Sequence, residues 1–255
     1  MAGRTVSRWA RIYADGYDMS GYARQLSPLT WTFDEADLTA ISDGAKGYLP
    51  AQANIDIGSI SANLDNTATS GAHVVLSTPG VSRVVMIPIG IQAAPVQGDP
   101  VFAGSFQQSA YTAAEDGGAM TVSIDFDHQD NANPLLYDKP WGWLLHANGA
   151  ETAVNTAIGI DDYGAATACG GYMVYQVLAG NGTATFKVQD AATNTNASFA
   201  DLTGATSGSI SAATPSAGII QIGKTATVRR YLRWQIVLGT ATTVTFALSF
   251  VRALN

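Results

Sequence analysis

The chain has 255 residues and a single cysteine, Cys169, which excludes a disulfide framework and any multi-cysteine zinc site while leaving room for one large domain or two modest ones. Only 13% of residues are charged, and twenty acids outweigh thirteen bases for a net charge of −7, which argues against a protein that grips nucleic acid electrostatically. No run reaches the ~18 apolar residues of a membrane span, and Met1-Ala2-Gly3-Arg4-Thr5 lacks the apolar core of a signal peptide, so the chain is expected to fold reduced in a cytoplasm with no membrane insertion.

Period-2 patterning dominates in chain order. Trp9, Arg11 and Tyr13 alternate with Arg8, Ala10 and Ile12, which predicts a strand over residues 8–13. Residues 34–47 read instead as a short helix: Leu38, Ile41 and Ala45 fall at helical spacing, Asp34 caps, Asp37 sits in the first turn, and Gly44 or Gly47 ends it before Pro50. Strands resume at residues 83–89 and 121–126, where Val122, Ile124 and Phe126 form one face and Asp125 and Asp127 lie on the other. A polar, proline-marked stretch through Asn133-Pro134 and Lys139-Pro140 then suggests a boundary between residues 1–140 and 141–255. Charge supports it, with seven bases against fifteen acids before the boundary and six against five after it.

The second half continues with strands at 172–178, 185–188, 228–238 and 244–251. Val228, Leu232, Trp234, Ile236 and Leu238 share one face of the third, and Val244, Phe246, Leu248 and Phe250 share one face of the last. Residues 193–215, almost all Ala, Ser, Thr, Asn and Gly, read as loops and short strands at a sandwich rim. The class is therefore all-β with one short helix, in two antiparallel sandwich or barrel units.

Motifs for chemistry are weak. Residues 218–225 match the phosphate-loop pattern letter for letter, but β-favouring isoleucines fill the loop and a period-2 strand follows Thr225 where a helix is needed. His73, His128 and His146 stand at no metal-type spacing, the acid pairs Asp34-Glu35, Glu115-Asp116 and Asp161-Asp162 read as solvated turn residues, and Cys169 has no His or acid beside it. No enzymatic activity, metal or cofactor is expected. The one basic and aromatic cluster is Arg229, Arg230, Tyr231, Arg233 and Trp234; alternation places Arg229, Tyr231 and Arg233 on one face as a candidate outer-domain interface.

Several segments, taken in order, resemble the major tail (tail tube) proteins of long-tailed bacteriophages. They are Arg11-Ile12-Tyr13-Ala14-Asp15-Gly16-Tyr17-Asp18-Met19-Ser20-Gly21, Trp31-Thr32-Phe33-Asp34-Glu35-Ala36-Asp37-Leu38-Thr39, Gly44-Ala45-Lys46-Gly47-Tyr48-Leu49-Pro50, Gly98-Asp99-Pro100-Val101-Phe102, and Met120-Thr121-Val122-Ser123-Ile124-Asp125-Phe126. Residues 141–255 are similar, more loosely, to the sandwich or jelly-roll modules that such proteins append on the outside, and to sugar-binding modules in general shape.

The resemblance implies a virion structural protein of the phage tail, assembled in the host cytoplasm. Copies would close into six-fold rings around a continuous β-barrel and stack into a tube through which DNA is ejected without specific binding. Other tail proteins would be partners. It places the ring-stacking loop and helix in residues 34–50, with Asp34, Glu35, Asp37, Leu38, Ile41, Tyr48 and Pro50 as candidates. Acidity of the first half then suits a bore that repels a sliding polyanion. The alternative is a carbohydrate-binding protein of a phage tail that adheres to host-surface glycans through Trp234, Tyr231 and the arginines.

Overall fold

The computed structural model describes residues 7–39, 46, 48–67, 70–129, 137–155, 157–162 and 164–254. The first half contributes β1 (Tyr13–Ala14), β2 (Tyr17–Asp18), β3 (Ala23–Leu26), β4 (Thr30–Asp37), β5 (Tyr48–Asp56), β6 (Gly58–Asn63), the helix α1 (Ala72–Leu76), β7 (Ser82–Pro88), β8 (Pro100–Asp116) and β9 (Ala119–Gln129). The second contributes β10 (Trp141–Glu151), β11 (Ile160–Asp161), β12 (Gly171–Gly180), β13 (Thr183–Ala191), β14 (Ala200–Thr206), β15 (Ile210–Ser211), β16 (Ser216–Ile222), β17 (Tyr231–Leu238) and β18 (Val244–Arg252). The protein is all-β, and its strands pair antiparallel, as the alternating patterns require.

One sheet of eleven strands runs through both halves in the order β16-β12-β18-β10-β8-β7-β1-β2, with β9, β6 and β3 branching from β8. A five-stranded sheet, β11-β17-β13-β14 with β15 on β13, covers one face of its β12-β18-β10 end. Three apolar cores result. The first half packs Ile55, Ile57, Ile60, Phe102, Phe106, Ile124 and Phe126 under α1, whose Ala72 and Leu76 are buried. The second half packs Phe186, Leu232, Trp234, Ile236, Phe246, Leu248 and Phe250 between its two sheets. The third core lies between the halves: Tyr13, Met86, Val101, Ala103 and Tyr137 meet Leu144, Tyr172, Val174, Ala247 and Val251.

Polar groups fix the same junction. The β1–β2 turn is Asp15-Gly16, both at positive φ, the Asp-Gly signature of a two-residue hairpin turn. Asp15 accepts the Val84 amide and pairs with Arg83, while fully buried Gln176 accepts Gly16 N–H at 2.6 Å and donates to Val84 O at 2.8 Å. A Cβ on Gly16 would stand 2.2 Å from Ser216 N, so only glycine fits. The Tyr172 hydroxyl lies 3.0 Å from Ala103 O and 2.8 Å from Lys139 O, again joining the two sides.

Three expectations change. Residues 34–37 are the end of β4, paired with β5 from Thr30↔Asp56 to Asp37↔Tyr48, and not the start of a helix. The β-favouring Thr30-Trp31-Thr32-Phe33 run sets the period, and cross-strand pairing carries it past the capping signal at Asp34. Ile41 and Ala45, which suggested the helix, lie outside the described residues. The α-helix is instead Ala72–Leu76, whose Val74 and Val75 gave no helical signal; Leu76 O, which accepts from buried Gln108 at 2.6 Å, ties it to β8. Over residues 8–13, the 3₁₀ turn Ser7–Trp9 gives way to a single antiparallel bridge, Ala10↔Ile89, and a named strand begins at Tyr13.

The chain's last strand is locked by a fully buried ion pair. Arg252 Nε donates to Asp162 Oδ2 at 2.6 Å, and its Nη1 donates to Ala165 O and Val228 O, so one guanidinium organises two loops at the end of β18. Removing one partner leaves a buried, uncompensated charge. Asp162→Met should cost about 3–5 kcal/mol in denaturant unfolding, whereas exposed Arg24→Met, in a pair at the surface, should cost no more than about 1 kcal/mol. Equal losses would show that burial of the Asp162 pair carries no special weight.

Candidate functional site

Two features of the first half face outward without a partner among the described residues. The first is a four-stranded leaf, β3-β6-β9 and the distal half of β8. The proximal half of β8 is flanked by β7 over residues 101–107, but residues 109–116 have β9 as their one strand partner. At the other end β3 pairs with β6 alone. Among the described residues neither border of the leaf has a further strand beside it, although Ala23 N–H bonds Met19 O and Ala114 O accepts from Thr121 Oγ1.

Register fixes what each face of the leaf carries, since residues directly opposite share a face. Tyr111, Ile124, Ile60 and Leu26 form one row, and Ala113, Val122, Ala62 and Ala23 the next; this face covers the first core. The other face carries Ala110, Asp125 and Ser59 in one row and Thr112, Ser123, Ser61 and Gln25 in the next. It is small and polar, with a carboxylate and no basic residue in these rows. A Gly117-Gly118 turn, both at positive φ, joins β8 to β9.

The second feature is the ribbon of β4 and β5, which pair with each other and, among the described residues, with no other strand. Its root is held by Ile55 and Ile57, both buried in the first core. Beyond the root, Trp31, Thr32, Phe33, Asp34 and Glu35 are all exposed, so neither face is covered and the ribbon is an arm. Trp31 and Phe33, two residues apart, set their rings 5.8 Å apart on one side, and Leu38 and Leu49 are more than half exposed. A lone two-stranded ribbon is marginal in water, and apolar side chains on it mark a contact surface.

All the expected stacking residues except Ile41, which lies outside the described residues, fall on or beside this arm. Asp34, Glu35 and Asp37 are exposed on β4, Leu38 follows it, and Asp37 Oδ1 accepts the Thr39 amide, which together with the Thr39 side chain lowers the carboxyl below its usual range. Tyr48 and Pro50 take backbone places in β5, their side chains lying outside the described residues along with Ile41. Trp31, Phe33 and Leu49 were not singled out from sequence, although the 31/33 spacing is the signal that finds them.

The arginine cluster is divided. Arg233 is 4% exposed and its guanidinium donates to Gln189 Oε1, Ala157 O and Asn196 Oδ1, above the Phe199 ring. It ties loops together and presents nothing outward. Arg230 pairs with Asp161 in the open, Arg229 lies near Asp190, and Tyr231 is half-buried. Trp234 is a core residue of the second half, 8% exposed. The 218–225 match is no phosphate loop: Gly218 to Ile222 belong to β16, paired along β12. His73 Nδ1 lies 2.8 Å from the Tyr111 hydroxyl, and among the described residues no cluster of three metal-ligating side chains occurs.

A cavity of about 530 Å³ between β10 and β17 gathers His146, Glu151, Asn155 and Trp234. Register shifts on either side of His146 kink β10 and aim its ring inward. The imidazole stacks on Phe246 at 4.0 Å, with Trp234 edge-on at 4.5 Å. Nδ1 faces Phe246 O at 3.1 Å and Nε2 faces Glu151 Oε1 at 3.0 Å, both acceptors, so a neutral ring can serve only one. Nothing in the sequence brings residues 146, 151 and 234 together; the strand packing does.

No family model matches the chain, and no curated protein matches it. Among solved structures it is similar to the SPP1 Dit (gp 19.1) protein, described as a paradigm of the hub adsorption apparatus in Gram-positive infecting phages. Identity is 12% and the TM-score 0.32, over 96% of this chain and 99% of that one. Two chains superposed at that level need not share a fold.

Burial holds His146 below the usual imidazole range, against the pull of Glu151 and the Phe246 carbonyl. Because the unfolded chain takes this proton near pH ~6.5 and the folded chain only at lower pH, stability should fall as pH drops below that value. Thermal melts from pH 7.5 to 5 should show a steeper decline for the wild type than for His146→Gln; parallel curves would refute the assignment.

Proposed function

We propose that the chain is a structural protein of a phage tail, whose copies close into rings and stack into the tail tube that conducts DNA. The observation that carries this reading is the leaf: four strands with two open borders, one face sealed on a core, and a second face of Ser, Thr, Ala and Asp. Open borders are a hazard in a lone molecule and are removed when neighbouring leaves join edge to edge into a barrel. The small polar face would then line the bore. Guanidinium or ammonium groups there would hold phosphates by releasing counterions, whereas hydroxyls and a carboxylate such as Asp125 give no grip.

The order of sequence segments that resemble those of tail tube proteins supports the same reading, and so does the arm, whose exposed apolar residues suit a contact between rings. Six-fold symmetry, stacking through residues 34–50 and a virion location belong to this proposal. The glycan alternative needs an open aromatic face, and Trp234 and Arg233, two of its residues, are buried.

Negative-stain micrographs of the purified full chain at high concentration and moderate salt should show rings with a central hole, or tubes built of them. Sedimentation of a single monomeric species under those conditions would overturn the proposal.

A further inference from the structure

We propose that a cavity beside the free border of β3 receives the distal part of the β4–β5 arm of a second copy of this chain, carboxylates against guanidiniums. The inference rests on the self-assembling reading above and adds the two surfaces that meet.

The cavity, about 500 Å³, is lined by Arg8, Arg11 and Arg24 over an apolar floor that includes Ile12, Leu26 and Ile89. Three of the seven basic residues of the acidic half converge there. Arg11 Nη1 donates to Arg8 O and Ala10 O, which sets its head at the cavity and leaves further donors on the same guanidinium. Arg8 lies over the Trp9 ring, and Arg24 pairs with Asp116 in an exposed contact of the kind that exchanges partners at little cost.

The arm is the complement. Its described distal residues carry the three acids Asp34, Glu35 and Asp37. Asp34, Glu35 and Asp37 are exposed and make no ion pair among the described residues, and Leu38 and Leu49 supply exposed apolar contacts beside them. Carboxylates flanked by leucines match guanidiniums above an isoleucine and leucine floor.

The chain's own arm does not fill the cavity's pairing: Arg24 pairs with Asp116, no ion pair joins Asp34, Glu35 or Asp37 to Arg8, Arg11 or Arg24 among the described residues, and Asp34 and Asp37 lie roughly 13 and 23 Å beyond Thr30 along an extended strand. The arm and the cavity beside β3 are different surfaces of one molecule, so a contact between them on two copies is head-to-tail. Such a contact repeats from copy to copy and builds a ring or a filament in place of a closed pair.

The test is a charge exchange in the full chain. Variant one carries Arg8→Glu and Arg24→Glu; variant two carries Asp34→Lys, Glu35→Lys and Asp37→Lys. All five positions are at or near the surface, and unchanged melting temperatures would confirm folding. Each variant alone should need at least about tenfold more protein for half-maximal assembly, measured by sedimentation or light scattering, because like charges now meet. An equimolar mixture should recover assembly, since each arm then faces a cavity of opposite charge. Assembly of either variant at the wild-type concentration, or a mixture no better than its parts, would overturn the inference while leaving the tube reading intact. A wild type that never assembles would overturn both.

Discussion

The rest of the structure depends on a sheet that buries both of its faces where the halves meet. Residues 85–88, 101–106 and 171–177 are buried without a break, so strands β7, β8 and β12 have no wet side there. Each successive side chain goes to a different core: Val85 and Ile87 to the first and Met86 to the shared one, Met173 and Tyr175 to the second and Tyr172 and Val174 to the shared one. A one-residue slip in any of these strands would exchange the contents of two cores at once, which makes the register strongly determined. Gln176 and the Asp15-Gly16 turn add buried hydrogen bonds at the same seam, and their loss would leave buried backbone groups unsatisfied.

Rigidity there has a consequence for what lies outside it. β8 is a single strand of seventeen residues, buried from Val101 to Phe106 and exposed from Thr112 onward. Its first part belongs to the seam and its second part to the open leaf, so the leaf inherits a fixed orientation from the junction. The arm is held in the same way, through Ile55 and Ile57 in the first core. Surfaces that must meet neighbours in a repeating assembly benefit from being preset, because association then costs less ordering entropy.

Much of this was legible in the sequence, and the exceptions have physical causes. The alternation of Val122, Ile124 and Phe126, and that of Val228, Leu232, Trp234 and Ile236, identified core faces because a single sheet face repeats every second residue. The change of charge near residue 140 falls where β10 begins, but composition could not reveal that β10 joins β8 in one sheet across that point. The helix expected from Asp34 failed because a capping residue and three spaced apolar side chains are weak against a cross-strand partner eleven or more residues away. The interface expected at Arg233 failed for a related reason: alternation names a face, while burial depends on loops such as 193–198 that fold over it. The cavity at His146 was invisible because it depends on a bulge.

Leaf and arm are both uncovered, yet they differ in a way that separates their roles. The outer face of the leaf offers Ser59, Ser61, Ser123, Thr112, Ala110 and Asp125, small groups of which Ser59 already bonds Ser27 and Ser123 bonds Asp125, so they gain little from a further partner. The arm offers Trp31, Phe33, Leu38 and Leu49, whose removal from water is worth about 1.5–3 kcal/mol for each side chain fully buried. A molecule that assembles must keep the two apart, because apolar or basic groups on the leaf would bind whatever passed and a polar arm would hold nothing. In the proposed tube the first surface faces a moving polyanion and the second faces a stationary neighbour. That proposal would account for the two compositions: hydroxyls and a carboxylate where contact would have to be brief, aromatics, leucines and clustered acids where it would have to hold.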